Sequence, residues 1–309
     1  MQISPMSPED IPAVLQAWPL TFDPVTPERL HSLIFGDPNY EPEAVTIARD
    51  DDGAILGLSS AVLRRTIEGK DGCGAEYGFD RGFLKLFFVT PGPHDETSAG
   101  ALLAAAERYS AAAGKAELRV TQYTGPYLYP GLDVRYERLR ELLTLNGYRD
   151  VATIEDVAVT LDEADIAARL AQARGRAGGD VEVLEWHPGL LEPMRAFVAE
   201  GQMPQWFPVN WETRYTDPDD TTLILRIGTE ILGWSHYFPG LPRSGFGPIL
   251  VLPRARGRAY GVLLLLECMD RARHRGASLM TAGWANTGFY VAAGWHIRRR
   301  FAVFAKPLA

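Results

Sequence analysis

Apolar and polar positions fall along the chain in an order that occurs twice. In the first half, Met6 to Trp18 has helical spacing, with Ser7 as a cap, Pro8 in the first turn and Glu9 and Asp10 at its positive end. Ala44 to Arg49 and Ala54 to Leu63 are apolar or alternating and flank Asp50-Asp51-Asp52-Gly53, the pattern of a hairpin. Gly82 to Val89 is rich in Phe and Leu and predicts a strand. Thr97 to Ala113 predicts an alanine-rich helix ended by Gly114. Leu118 to Gln122 predicts a strand, Asp133 to Leu145 a helix ended by Asn146-Gly147, and Val151 to Leu161 a strand.

The second half follows the same order. Trp186 to Ala199 predicts a capped helix, and Thr222 to Arg226 with Ile231 to Tyr237 a hairpin around Ile227-Gly228-Thr229-Glu230. Phe246 to Leu252 predicts a strand and Ala259 to His274 a helix, with Arg271, Arg273, His274 and Arg275 near its negative end and Gly276 as its cap. Ser278 to Ala282 is a strand, Thr287 to Ala293 a short helix ended by Gly294, and Arg299 to Lys306 the last strand. Residues repeat as well as elements. Val89-Thr90-Pro91 matches Val251-Leu252-Pro253, and the same offset places Ala99 to Leu103 under Gly261 to Leu265 and Gly114 under Gly276. Asn146-Gly147-Tyr148 matches Ala293-Gly294-Trp295 at a smaller offset, so the first half carries an insertion around Tyr123 to Asp133. Between the halves, Asp162 to Arg174 is polar and helical, and Gly175 to Gly179 reads as a flexible linker. The expected domains are therefore 1–161 and 181–309, joined by 162–180.

Composition narrows the function. With 309 residues, 46% apolar and 23% charged, the chain has the material for two globular cores. A net charge of -8 argues against nucleic acid as the main partner, so a local basic loop suits a small anionic ligand better. Cys73 and Cys268, the two cysteines, make neither a metal motif nor a disulfide framework. Met1 to Asp10 lacks the basic-then-apolar order of a signal peptide. The apolar run Val262 to Leu266 is far too short to cross a membrane. The expectation is a cytoplasmic protein with no metal and no membrane partner, monomeric or a homodimer.

The candidate chemistry sits at Val251 to Gly261, where an apolar strand enters a tight basic loop and then a helix. Such a loop aims backbone N–H groups and a helix N-terminus at one point, which suits phosphate or pyrophosphate. Its pattern, Arg256-Gly257-Arg258-Ala259-Tyr260-Gly261, is R-x-x-(small)-x-G, and small residues let the backbone approach a ligand. Phe289-Tyr290 then precedes Gly294-Trp295, and Gly283-Trp284 precedes both.

This combination resembles the GNAT family of acyl-CoA-dependent acetyltransferases, most closely over Thr222 to Leu308 and, through the repeat, over nearly the whole chain. The resemblance implies an α/β (α+β) fold of two tandem GNAT-like domains, each a mixed, mostly antiparallel sheet flanked by helices. It implies acetyl-CoA as co-substrate and transfer of acetyl to a primary amine of a small molecule or peptide by direct attack. It also implies roles. The backbones of Ile249 and Val251 would pair with the pantetheine arm. The amides of Arg256, Gly257, Arg258, Ala259, Tyr260, Gly261 and Val262 would hold the pyrophosphate, with Asn286 also at the cofactor. Tyr290 would lie near the thioester sulfur, where a phenol can protonate the departing thiolate. The family usually has glycine where this chain has Ala259; alanine is the smallest alternative and keeps the loop competent if φ is negative there. Tandem members include mycothiol synthase, which acetylates the cysteinyl amine of a thiol glycoside; no residue here singles that activity out. The competing reading is a non-catalytic acyl-CoA sensor or interaction module.

The first copy reads His94, Thr97 and Ala99 where the second has Arg256, Ala259 and Gly261, and Asp95-Glu96 stands where a pyrophosphate would lie. Leu143 takes the place of Tyr290. The first copy is therefore expected to be inactive and a poor CoA binder. No carboxylate lies on Phe246 to Leu252, which leaves His236 as the candidate base, with Glu212 and Asp217 as outsiders and a water chain as the alternative. Trp206, Phe207, Trp211 and Tyr215 are candidates for an aromatic acceptor wall, or equally for core.

Overall fold

The computed structural model describes residues 1–67, 70–71, 78–161, 166–201 and 221–308. The chain divides into two compact units, Met1–Ile154 with Arg300–Ala309, and Glu155–Arg299.

The first unit contains β1 (Gln2–Pro5), α1 (Ile11–Gln16), α2 (Pro27–Ile34), β2 (Val45–Arg49), β3 (Ile55–Leu63) and a two-stranded ribbon of β4 (Thr66–Ile67) and β5 (Lys70–Asp71). It continues through β6 (Arg81–Val89), α3 (Asp95–Ala112), β7 (Glu117–Val120), β8 (Leu132–Asp133) and α4 (Glu137–Leu145), into β9 (Arg149–Thr160). Its sheet runs β1-β2-β3-β6-β7 and is continued by β15 (His296–Pro307), the last strand of the chain. The β6/β7 pairing is parallel and the others are antiparallel. The expected helix at Met6 to Trp18 is shorter than its polar pattern suggested. Pro8–Asp10 forms a 3-10 turn, the Asp10 side chain accepts the Ser7 N–H at 2.8 Å, and regular helix begins only at Ile11.

The second unit contains the end of β9, α5 (Ile166–Ala177), β10 (Val181–Glu185), α6 (Leu191–Glu200), β11 (Thr221–Ile227), β12 (Glu230–Phe238), β13 (Arg243–Val251), α7 (Tyr260–His274), β14 (Leu279–Ala282) and α8 (Thr287–Ala292), and reaches the start of β15. Its sheet order is β10-β11-β12-β13-β14-β9, again with one parallel pairing, β13/β14. α7 is apolar over most of its surface and buries Leu263 to Met269. α5 packs beside it with Ile166, Ala173 and Ala177 buried, so the segment expected to end in a flexible linker is helical through Ala177.

Pairing register supports the duplication more firmly than residue identity does. Gly57 lies opposite Val89, and Gly233 lies opposite Val251. An ideal Cβ on Gly57 would lie 2.8 Å from Leu102 Cδ1, and one on Gly233 would lie 2.9 Å from Leu264 Cδ1. Leu102 and Leu264 are also matched by the offset that relates Val89 to Val251. In both units a glycine lets the helix after the loop press onto the same point of the sheet.

The partition also differs from a linear split at 162–180. The pattern of alternating residues identifies β9 and β15 as strands but carries no information on which neighbour each will choose. The chain continues the first sheet with its C-terminal strand, and the second with residues that precede the expected linker.

Candidate active site

β13 and β14 run side by side for three residues only, Arg243 to Gly245 against Leu279 to Thr281, and then part. The parting coincides with a bulge. Ser235 faces Ile249 and Tyr237 faces Phe246, so Gly247 and Pro248 together oppose His236. Gly247 has φ +117, a value open to glycine alone, and Pro248 has no N–H to donate, which confines it to a bulge or an edge. The signal for it is the Gly-Pro inside an apolar run, although Phe246 to Leu252 reads by pattern as a plain strand.

Beyond the bulge, β13 pairs with β12 on one side and has no strand partner on the other among the described residues. The Leu252 N–H donates to the Leu232 carbonyl at 3.0 Å. In an antiparallel ladder, hydrogen-bonded pairs alternate with non-bonded ones. Stepping back along the register from Leu252, Val251 and Ile249 fall at non-bonded positions and turn their N–H and C=O groups away from β12, toward the gap. The Arg256 Nε donating to Val251 O at 3.3 Å agrees with this direction. The two residues singled out for pantetheine thus present main-chain polar groups on an open edge.

The loop follows directly. Pro253–Ala255 forms a 3-10 turn, Gly257 has φ +83, and Ala259 has φ +63 and ψ 7 as the N-cap of α7. The condition of a negative φ at Ala259 is not met. The position is left-handed, which is why glycine is usual there, and alanine holds it at a cost of about 1–2 kcal/mol. No side chain at Ala259 caps the helix and no acid occupies its first turn, so the first amides and the positive end of the dipole face outward unneutralised. Of the loop arginines, Arg254 is held by Glu200 at 2.5 Å and Glu230 at 2.7 Å. Arg256 and Arg258 are exposed, and Arg258 makes no ion pair or hydrogen bond among the described residues. Tyr260 is buried in the core, Gly261 and Val262 are half-buried, and Asn286 is exposed at the N-cap of α8.

Tyr290 lies on α8 in an aromatic cluster, with ring centroids 5.1 Å from Phe289, 5.1 Å from Trp295 and 6.0 Å from Phe246. Phe289 packs over Gly261, 3.3 Å from where its Cβ would be, which ties α8 to the first turn of α7. Tyr290 is 7% exposed, and burial, helped by the nearby Cys268 thiol, pushes its phenol above the ordinary value. Its hydroxyl has no hydrogen-bond partner among the described residues. A neutral, uncommitted phenol is equipped to give a proton rather than take one.

His236 is fully buried on β12, with Nδ1 3.0 Å from Thr222 Oγ1 and its ring 4.5 Å from that of Phe238. It does not join Tyr290. Ser235 Oγ is 3.3 Å from Cys268 Sγ, which places Ser235 and its alternate neighbour Tyr237 on the α7 face of the sheet. Phe246 opposes Tyr237 and touches Tyr290, so Tyr290 is on that face and His236 on the other. Trp206, Phe207, Glu212, Trp211, Tyr215 and Asp217 lie outside the described residues, as does Cys73. Among the described residues no His, Cys, Asp and Glu cluster could hold a metal, and no helix is long and apolar enough to cross a membrane.

The first unit keeps the scaffold and changes the lining. Its parallel pairing also lasts three residues, Arg81 to Phe83 against Glu117 to Arg119, and its bulge falls at Lys85, the residue matching Gly247. Thr90 donates to Leu56 O at 2.9 Å, as Leu252 does to Leu232 O. The helix N-terminus, however, is neutralised from within. Arg138 binds Asp95 at 2.8 and 2.9 Å and Glu96 at 3.0 Å, and the Arg138 guanidinium holds the Asp95 carboxyl below its usual range, aided by the Glu96 amide. After Val120 the chain leaves the strand and returns at Leu132 to rejoin β15. That excursion buries Tyr123, which packs 5.5 Å from Phe83, under the Arg64 guanidinium at 5.1 Å. Tyr123 donates to Asp37 at 2.8 Å, and Asp37 pairs with the buried Lys85 ammonium at 2.5 Å. The space next to the bulge is filled by the chain's own side chains.

Comparison with known proteins agrees with this geometry. Residues 185–295 match the model of the acetyltransferase (GNAT) family. No curated protein matches the chain. Among solved structures, a GCN5-related glucosamine N-acetyltransferase region of a fungal multi-domain GH3 beta-N-acetylglucosaminidase superposes with a TM-score of 0.74 at 15% identity. That match covers 99% of this chain, which spans 38% of the fungal protein. A GCN5-related N-acetyltransferase from Sphaerobacter thermophilus gives 0.66 at 18% identity over 99% of this chain and 95% of its own. A tandem GNAT protein from the clavulanic acid biosynthesis pathway gives 0.64 at 16% identity, covering 100% and 98%. At these identities the likeness is one of fold. Residues 185–295 thus carry a GNAT family domain, and the chain as a whole shares its mixed α/β fold with tandem GNAT proteins.

Proposed function

We propose that the protein transfers an acetyl group from acetyl-CoA to a primary amine of a small molecule or peptide, and that the second unit alone does so. The observation that carries this reading is the conjunction at one end of the β13/β14 gap. An open strand edge at Ile249 and Val251 leads into a helix N-terminus with bare amides and two exposed arginines. Residues of this kind fit CoA. The strand edge would bind the pantetheine amides, and the amides from Arg256 to Val262, with the Arg256 and Arg258 guanidinium groups, would hold the pyrophosphate. Asn286 would contact the cofactor from the cap of α8.

When bound, acetyl-CoA supplies the activated acyl group as a thioester. The chain orients it, stabilises the charge that grows on the carbonyl oxygen through a fixed strand N–H, and manages two protons. Tyr290 Oη would give its proton to the leaving sulfur. His236 would accept the proton lost by the attacking amine through water, since it is buried on the other face of the sheet from Tyr290. The test is free-thiol release from acetyl-CoA across a panel of amines. Tyr290→Phe should lower kcat about a hundredfold while CoA affinity is kept. Unchanged turnover in that variant removes Tyr290 from the chemistry. CoA binding without thiol release from any amine would instead mark a non-catalytic acyl-CoA module.

A further inference from the structure

The second unit has a further depression at the opposite end of α7 from the loop. It holds about 310 Å³, and its lining includes Tyr237, Leu241, Ser244, Ala272, Arg275 and Ala277. α7 has 15 residues, so its two ends lie ~22 Å apart at 1.5 Å per residue. This is not part of the candidate acetyl-transfer site.

The depression has the make-up of a ligand site, apolar walls with few polar groups. Its walls are fixed. Ser244 Oγ donates to Phe238 O at 2.7 Å, and the amides of Ser278 and Leu279 donate to Pro242 O at 2.9 and 3.2 Å, pinning the turn that carries Leu241. Leu241 is 71% exposed, a costly apolar group to leave in water. Arg275 is the one charged side chain of the lining. Its guanidinium carbon stands 5.8 Å from the centre of the buried Tyr237 ring, and it has no carboxylate partner among the described residues. The acids close by are committed elsewhere, Asp270 to Arg273 and Glu185 and Glu267 to Arg271.

We propose that this depression binds a small organic acid, its carboxylate on Arg275 and its apolar body between Leu241 and the alanines of α7. An ammonium in place of the carboxylate would meet the Arg275 charge and be refused. The probe is hexanoate, titrated by protein-observed NMR into the full chain saturated with CoA, with hexylamine as the control of opposite charge. Saturable hexanoate binding with shifts at Leu241 and Ala277, and none with hexylamine, is expected. Arg275→Gln should weaken hexanoate about tenfold and Leu241→Ser severalfold. Both residues are exposed, so both variants should keep the wild-type Tm and the wild-type CoA affinity. Failure of hexanoate to saturate, equal binding by hexylamine, or unchanged affinity in Arg275→Gln would overturn the proposal. Loss of CoA binding by the wild type would count against the acetyltransferase reading and leave this one standing.

Discussion

The loop before α3 and the loop before α7 begin from the same frame. In both units a parallel pair separates after three residues, a bulge sits at the same place, and the residue after the strand donates to the same carbonyl of its neighbour. The difference is in what meets the helix N-terminus. At α3 it is Asp95 and Glu96, locked by Arg138; at α7 it is Gly257, a left-handed Ala259 and two exposed arginines. One backbone frame can therefore carry two different linings, and function must be read from the groups aimed into the gap. In the first unit those groups are Tyr123, Lys85 and Asp37, which satisfy one another.

That contrast can be broken in steps of falling size. The largest effect should come from Asp37→Ala, which strands a buried ammonium and should cost about 3–5 kcal/mol of stability, read by denaturant unfolding. CoA affinity of the folded fraction should not change, and a parallel loss would mean that the first unit also holds the cofactor. Next, reversing Arg256 and Arg258 to Glu should weaken CoA about a hundredfold, whereas His94→Ala with Thr97→Ala should leave it within error. These exposed arginines make a cleaner test than Gly261→Asp, because a side chain at Gly261 also displaces Phe289. Ala259→Gly should then raise stability by about 1 kcal/mol with CoA binding kept or improved. A loss of stability would show that the left-handed turn is not strained. The smallest effect belongs to Asp95. Its folded-state carboxyl is depressed by Arg138, so it contributes stability above its unfolded value near 3.8 that is lost as pH falls through the lower folded value. Asp95→Asn should flatten the acid limb of the stability curve below about pH 4, and an unchanged limb would remove the ion pair from the account.

Much of this was legible in the residues. Glycine marks the turn at Gly53 and the helix ends at Gly114, Gly147, Gly276 and Gly294, and all five have the positive φ that makes glycine necessary. The repeated element order, the loop and the different residues at the first copy's matching loop are also visible in residue identity. Other features depended on partners that a pattern does not name. Alternation marks Arg299 to Lys306 as a strand equally well in either sheet, so its place beside β7 was not foreseeable. Nor does Ala259 in a sequence announce a left-handed conformation, since the φ is imposed by the turn that Gly257 begins. Spacing likewise could not tell that His236 and Tyr290 fall on opposite faces, because the bulge at Gly247-Pro248 changes which residues line the gap.

The central claim is that one of the two matched clefts takes CoA. Calorimetric titration of CoA into the full chain tests it most directly. A stoichiometry of one per chain is expected, with the affinity lowered about a hundredfold by the double arginine reversal. Two sites per chain, or a single site whose affinity is unchanged by that reversal, would contradict it.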